Sequence, residues 1–109
     1  MVVKDFLLQD YSKIYPTKYK VWKVDTSQTS ETTFSAALGK NPIAIVSLTI
    51  ASLGGGFTKF TLVDIEGKEG EDLAPYLTEG DSIDMLARDI KVTGSGNTGE
   101  AIIIVFGVW

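Results

Sequence analysis

The stretch that determines the fold is Glu100-Ala-Ile-Ile-Ile-Val-Phe-Gly-Val-Trp109, a run of β-branched and aromatic residues. Such residues favour β-strands, in which successive side chains point to opposite faces. One face of this run holds Ala101, Ile103, Val105 and Trp109, and the other holds Ile102, Ile104, Phe106 and Val108. A strand covered on one side alternates apolar and polar residues, whereas this run is apolar on both faces. Both faces therefore need cover, either from the same domain and its loops or from a second copy of the chain.

Shorter runs of the same character occur along the rest of the sequence. They lie at residues 19–24, 43–51, 57–65, 82–87 and 89–93, with a less regular apolar stretch at residues 2–8. Connections rich in Gly, Ser, Thr and Asn separate these runs, and helical periodicity is almost absent. The sequence therefore predicts one all-β domain over residues 1–109, an antiparallel β-sandwich of six to eight short strands.

The connections carry three local predictions. Gly54-Gly55-Gly56 can adopt the positive φ angles of a tight turn, so the runs on either side of it are predicted to pair as a β-hairpin. Residues 89–93 follow residues 82–87 closely enough to continue the same strand past a β-bulge. The segment Phe34–Leu38, which precedes Gly39, is predicted to be either a brief helical turn or a strand.

Composition argues against several classes of function. The 109 residues include no Cys and no His, so the commonest nucleophiles, general bases and transition-metal ligands are missing. The net charge of −4 disfavours binding to nucleic acid. The first residues lack a secretory signal pattern, and no run reaches transmembrane length, so membrane insertion is not predicted and the localisation stays open. The sequence predicts a protein that is not an enzyme.

A group of carboxylates is a candidate calcium site. It comprises Asp64, Glu66, Glu69, Glu71 and Asp72, interleaved with Gly67 and Gly70. Carboxylate oxygens on a flexible backbone suit calcium, although this spacing does not match the twelve-residue EF-hand loop. The alternative is a solvated acidic loop that binds no ion. No other cofactor is predicted.

Several aromatic residues are candidates for ligand binding. They are Trp22, Tyr11, Tyr15 and Tyr19. Aromatic side chains can stack on sugar rings or line a protein interface because they supply a large contact area at little cost in entropy. Filling of the hydrophobic core is the competing role for the same residues, and the sequence leaves both open.

The segment Gly94-Ser-Gly-Asn-Thr-Gly99 matches the G-x-G-x-x-G pattern of dinucleotide sites. In those sites a helix begins directly after the glycines, and its N-terminus binds the pyrophosphate. Here a β-like run follows instead. The segment is therefore predicted to be a connection between strands rather than a nucleotide site.

From Leu77 onward, the order Leu-Thr-Glu-Gly-Asp-Ser-Ile-Asp-Met-Leu, a Gly/Ser/Asn loop and an apolar closing strand from Ile102 to Trp109 resembles the last two strands of compact jelly-roll domains. Tumour necrosis factor and complement globular-head domains share this order, as do many viral capsid, spike and fibre-head domains. The resemblance covers the last third of the chain. It implies a jelly-roll-like fold, a closing strand near a threefold or other symmetry axis, and binding by loops. The chain is shorter than those domains, which leaves the full eight-strand topology open.

These features favour a non-enzymatic structural module that associates with itself, as a virion component of a virus or phage: a capsid, decoration or spike protein. The candidate interface residues are Ile102, Ile104, Phe106, Val108 and Trp109. The expected partner is a second copy, with a trimer implied by the resemblance, or another structural protein, and the location would then be the virion. The alternative function is a carbohydrate- or protein-binding β-sandwich module, assisted by calcium.

Overall fold

A computed structural model describes residues 18–109 of the chain. The strands are β1 (Lys18–Asp25), β2 (Glu31–Thr33), β3 (Ala44–Ser52), β4 (Phe57–Val63), β5 (Ser82–Ala87), β6 (Asp89–Gly94) and β7 (Glu100–Val108). One short helix, α1 (Phe34–Leu38), and a 3-10 turn at Ala74–Tyr76 complete the elements of this range. The predicted all-β antiparallel sandwich is confirmed. The apolar stretch at residues 2–8, and Tyr11 and Tyr15, lie outside the described residues.

The strands alternate between two antiparallel sheets. One sheet has the order β1-β7-β3-β5, and the other has the order β2-β6-β4. Each strand is therefore followed in sequence by a strand of the opposite sheet. The result is jelly-roll-like, with seven strands in residues 18–109 where a full jelly roll has eight. β1 and β5 form the two edges of the four-stranded sheet.

The predicted hairpin between residues 43–51 and 57–65 is wrong. β3 lies between β7 and β5, whereas β4 pairs with β6 in the other sheet. Both strands carry buried apolar residues, such as Leu48 of β3 and Phe60 of β4, and those residues are covered by placing the strands in opposite layers. Positive φ angles of 56° at Gly54 and 90° at Gly56 let the chain cross between the layers.

The predicted continuous strand through residues 82–93 is also wrong. Arg88 separates β5 from β6, and the two strands belong to different sheets. The backbone N–H of Arg88 donates to the carbonyl oxygen of Val63 at 2.8 Å. Ala87 and Ile90 are both buried on either side of this crossing, so the break lets one segment contribute to both layers of the core.

Residues 34–38 form a helix, which is one of the two predicted alternatives. Thr33 caps α1, since its Oγ1 accepts from the backbone N–H of Ala36 at 3.2 Å. Gly39 ends the helix with a left-handed φ of 81°. The carboxylate of Asp89 fixes α1 to β6, because it accepts from the N–H of Ser35 at 3.0 Å and from the Ser35 hydroxyl at 2.7 Å.

The hydrophobic core lies between the two sheets. Its fully buried large side chains include Phe34, Phe60, Ile45, Leu48, Ile50, Ile90 and Ile103. The ring of Phe34 meets the rings of Trp22 and Trp109 edge to face, with centroids 5.6 and 5.5 Å away. Edge-to-face contacts of this kind are favourable beyond the area they bury. The short helix therefore supplies an aromatic residue that joins β1 to the residue following β7.

Three loops are hydrogen-bonded to one another at one end of the sandwich, around the buried side chain of Thr26. Its Oγ1 accepts from the N–H of Gly55 at 2.8 Å and donates to the carbonyl oxygen of Asn97 or Gly99, each 3.0 Å away. Gly94 leaves no room for a side chain, because an added Cβ would lie 2.3 Å from the Gln28 carbonyl oxygen. These contacts fix the connections β1–β2, β3–β4 and β6–β7 relative to one another.

Candidate interaction surface

β7 lies in the middle of the four-stranded sheet, and its two faces have different environments. The inner face, with Ala101, Ile103 and Val105, is fully buried against the second sheet. Ile102, Ile104 and Phe106 lie on the outer face and are partly exposed. Within residues 18–109, the sandwich therefore covers one apolar face of this strand fully and the other only in part.

β1 extends the apolar outer face beside β7. The strand register sets Tyr19 opposite Phe106 and Val21 opposite Ile104. Tyr19 is 68% exposed and Val21 is 44% exposed, and the rings of Tyr19 and Phe106 have centroids 6.1 Å apart. We call this set the outer patch: Tyr19, Val21, Ile102, Ile104 and Phe106.

The other half of the same sheet face is polar. On β3, Ser47 is opposite Phe106 and Thr49 is opposite Ile104. Thr49 and Ser82 of β5 share a hydrogen bond between their hydroxyl oxygens at 3.0 Å. The outer face is therefore mostly apolar on β1 and β7, although Lys23 lies opposite Ile102. It is mostly polar on β3 and β5, although Leu86 of β5 is 60% exposed.

The five predicted interface residues separate into two groups. Ile102, Ile104 and Phe106 are brought together on the outer patch. Val108 is only 9% exposed, and Trp109 packs its ring against Phe34 of the core cluster. The structure adds Tyr19, which the sequence suggested for ligand binding, and Val21, which the sequence did not single out. Their position depends on the pairing of β1 with β7, for which the sequence holds no local signal.

The candidate ligand-binding aromatics are not gathered into one site within the described range. Trp22 is 3% exposed and packs on Phe34, so its faces are occupied by the core. Tyr19 belongs to the outer patch. Tyr76 is strongly exposed on the 3-10 turn.

Residues 64–73 lie along β4, and we call this segment the strap. Three of the five predicted calcium ligands make hydrogen bonds within the strap or from it to β4. Oδ1 of Asp64 accepts from the N–H of Lys68 at 2.9 Å. Glu69 accepts from the hydroxyl of Thr61 at 2.8 Å and lies 3.5 Å from the ammonium of Lys59.

Asp72 makes a further attachment of the strap, and Oδ1 of its carboxylate accepts from the N–H groups of Phe60 and Ala74, each at 2.9 Å. Glu66 and Glu71 are exposed. In residues 18–109, no group of three or more acidic side chains lies close enough together to hold a metal ion.

Hydrogen bonds lower the pKa of three carboxyls. The pKa of Asp72 is lowered by the N–H groups of Ala74 and Phe60, and that of Glu69 mainly by the hydroxyl of Thr61. In the β1–β2 loop, the hydroxyl and the N–H of Ser27 lower the pKa of Asp25. Donors that bind the ionised form favour it, so these bonds persist below the pH at which an ordinary carboxyl is protonated.

A groove of about 560 Å³ runs between β5 and the strap. Its apolar lining consists of Leu62, Leu73, Ile83 and Met85, and its charged lining consists of Asp64, Glu69, Glu71, Asp84 and Lys68. β5 is a sheet edge here, because within residues 18–109 it pairs only with β3. The groove thus combines an apolar floor, a rim that is mostly acidic and an unpaired strand edge.

The glycine-rich segment 94–99 is a connection between strands, as predicted. It joins β6 to β7, and the hydroxyl of Ser95 donates to the carbonyl oxygen of Gly55 at 2.7 Å. The element that follows is a strand rather than a helix, so the helix N-terminus on which a dinucleotide site depends is not formed here.

Neither a known protein-family profile nor a curated protein matches this sequence. Over residues 18–109, none of the helices has the length and apolar character needed to cross a membrane. The outer patch and the groove are the surface features from which a function can be inferred.

Proposed function

We propose that this protein is a non-enzymatic structural module that assembles with copies of itself through the outer patch. The observation that carries this proposal is the contrast across β7, whose inner face is fully buried while Ile102, Ile104 and Phe106 are partly exposed. Apolar side chains that are contiguous on a sheet face lose unfavourable contact with water when a second apolar surface covers them.

The size of the outer patch gives a small interface. Strands of up to nine residues in a sheet of four span roughly 30 by 19 Å, and the half on β1 and β7 is about 285 Å² for each copy. Two such patches bury about 570 Å², which is below the ~1,200 Å² at which stable protein interfaces begin. Association is therefore expected to depend on concentration rather than to be permanent at every dilution.

The proposed setting is a viral or phage particle, in which the protein would serve as a capsid, decoration or spike component. This part of the proposal rests on the resemblance of residues 77–109 to jelly-roll domains of virions, and on the jelly-roll-like alternation of the strands. The same resemblance favours a trimer. A particle built from repeated copies needs surfaces that bind other copies, and the outer patch supplies such a surface.

The test is the native mass in solution, measured by light scattering and sedimentation across the micromolar range. The wild-type chain should form oligomers. Ile104→Lys places a charge in the outer patch and should leave a folded monomer, because a buried unpaired charge is unfavourable. Ile65→Lys makes the same change at an exposed isoleucine in the turn after β4 and serves as the matched control, which should assemble like the wild type.

Circular dichroism of each variant separates loss of assembly from loss of fold. A wild-type chain that remains monomeric throughout this range would overturn the proposal. An Ile104→Lys variant that assembles as well as the Ile65→Lys control would overturn it too.

A further inference from the structure

We infer that assembly also uses a head-to-tail contact, in which the β1 edge of one copy docks on the groove of the next copy. This inference rests on the proposed self-association and adds a second surface to it. Its basis is the complementarity between two opposite edges of the same sheet.

The lining of the groove is complementary to a side chain that is both aliphatic and cationic. Its lining carries four carboxylates and the ammonium of Lys68. Glu69 already has a cationic partner in Lys59, at 3.5 Å, which leaves Asp64, Glu71 and Asp84 as the acidic excess. Ile83 and Met85 supply apolar surface beside them. A lysine side chain matches both features, since its four-carbon stem can lie on apolar surface while its ammonium remains at the rim.

β1 is the edge strand that offers such side chains. Lys18, Lys20 and Lys23 occur within its eight residues, against one acidic residue, Asp25. In the described part of the chain β1 pairs only with β7, so its second backbone edge is unpaired there. Lys18 and Lys20 alternate with Tyr19 and Val21 of the outer patch, whereas Lys23 lies on the outer-patch face opposite Ile102. A contact through this edge would bring the patches of neighbouring copies together.

A single copy cannot make this contact with itself. β1 and β5 are the two opposite edges of one sheet, with β7 and β3 between them. A contact between unlike surfaces repeats from copy to copy and gives a ring when the rotation closes. Opposite charge across the contact would favour this pairing of edges over β1 against β1 or groove against groove.

The width of the sheet favours a ring of three. Four strands span about 19 Å, and a triangle with sides of this length has its centre about 5.5 Å from each side. Packed sheets lie about 10 Å apart, so each sheet contributes roughly 5 Å of side chain to the space between them. Three outer faces turned inward would fill the axis with Ile102, Ile104 and Phe106, whereas four would leave opposing sheets about 19 Å apart.

Charge reversal tests the contact in the full chain. Lys18→Glu with Lys20→Glu reverses the β1 edge, and Glu71→Lys with Asp84→Lys reverses the groove. We expect each pair to raise the concentration needed for trimer formation about tenfold. All four substitutions in one chain reverse both surfaces together and should restore the trimer.

Controls reverse one charge of each sign at positions away from both surfaces. Lys40→Glu and Glu66→Lys alter exposed residues that neither belong to β1 nor line the groove, and they should assemble like the wild type. Association of the wild type should weaken as salt is added, because exposed ion pairs are screened. Circular dichroism confirms the fold of every variant.

The outcomes separate this inference from the proposed function. A wild-type dimer, or reversed variants that assemble like their controls, would overturn the head-to-tail contact and leave assembly through the outer patch standing. Failure of the fourfold variant to recover would overturn it as well. Assembly that survives Ile104→Lys but is lost on charge reversal would instead overturn the role of the outer patch.

Discussion

Ile103 and Ile104 are neighbours of the same residue type on one strand, yet they have different surroundings. Ile103 is fully buried between the sheets, whereas Ile104 lies partly exposed between Val21 and Thr49. The inner face of β7 is apolar because the fold requires it. The outer face is apolar without being enclosed by the described chain, and the proposed assembly would account for that excess. The apolar residues of one strand can thus have two separate roles: burial in the core on one face, and contact with another molecule on the other.

The largest expected effect is on the inner face. Ile103→Ala removes fully buried methyl and methylene groups and leaves a cavity, so it should lower the free energy of unfolding by about 2–5 kcal/mol. Ile104→Ala should cost about 1 kcal/mol, since less of its surface leaves water on folding. Denaturant unfolding at a concentration where the chain is monomeric measures both, and equal losses would remove the distinction between the faces.

The second comparison is between two threonine hydroxyls, one buried among the loops and one on the outer face of the sheet. Thr26→Val keeps the side-chain shape but leaves the partly buried N–H of Gly55 without its partner, so it should lower stability by about 1–3 kcal/mol. Thr49→Val changes a hydroxyl on the outer face and should alter stability by less than about 0.5 kcal/mol. Thermal unfolding compares them. Thr26→Ser keeps the hydrogen-bonding group and is the control; a loss as large as that of Thr26→Val would show that the hydrogen bonds are not the cause.

The third comparison is between two exposed tyrosines, and it tests the role of the outer patch in self-association. Tyr19 lies in the outer patch and Tyr76 lies on the 3-10 turn, and both are mostly exposed. Tyr19→Ala should weaken self-association by about tenfold, as expected for an aromatic contact within an interface. Tyr76→Ala should leave association unchanged. Sedimentation equilibrium gives both constants, and the same change in the two variants would argue against the outer patch.

The smallest expected effect concerns the strap and pH. Because the folded-state pKa of Asp72 is lowered, its contribution to stability is present above the ordinary carboxyl pKa and is lost as the pH falls through the lowered value. Asp72→Asn should therefore make stability less dependent on pH below about 4. The Ile104→Lys chain is the suitable background, because it is expected to be monomeric. Glu66→Gln in the exposed turn is the control and should retain the slope; an unchanged slope in Asp72→Asn would contradict this role.

The fold class could be predicted because alternation of side chains along strands is a local property. Alternation also groups Ala101, Ile103 and Val105 on one face of β7, and these three are fully buried. The alternation does not hold at the end of the strand, where Val108 is buried and Trp109 is partly exposed. Strand pairing was not predicted, since the choice between a hairpin at Gly54–Gly56 and a crossing depends on which faces bury one another. That choice is made by the whole domain rather than by the turn.

Only part of the candidate site could be predicted from the sequence, because the surroundings of a side chain also depend on the whole domain. The local sequence around an aromatic residue in a strand does not show whether the side chain fills the core, as Trp22 does, or lies on a surface, as Tyr19 does. The sequence also does not show whether clustered carboxylates are free to bind ions or accept hydrogen bonds from backbone N–H groups, as Asp72 does. Only the three-dimensional register distinguishes these cases.

The alternation of strands between sheets has a consequence for synthesis on the ribosome. β1 is made early, but its partner β7 follows every other strand of the sheet, and Asp25 must find Glu100. Pairings of such long sequence separation form slowly, on a scale of milliseconds to seconds. Since β1 and β7 together create the outer patch, a chain in which these strands have not yet paired does not display it. In the proposed assembly, a copy would therefore join a growing particle only after it has completed this pairing.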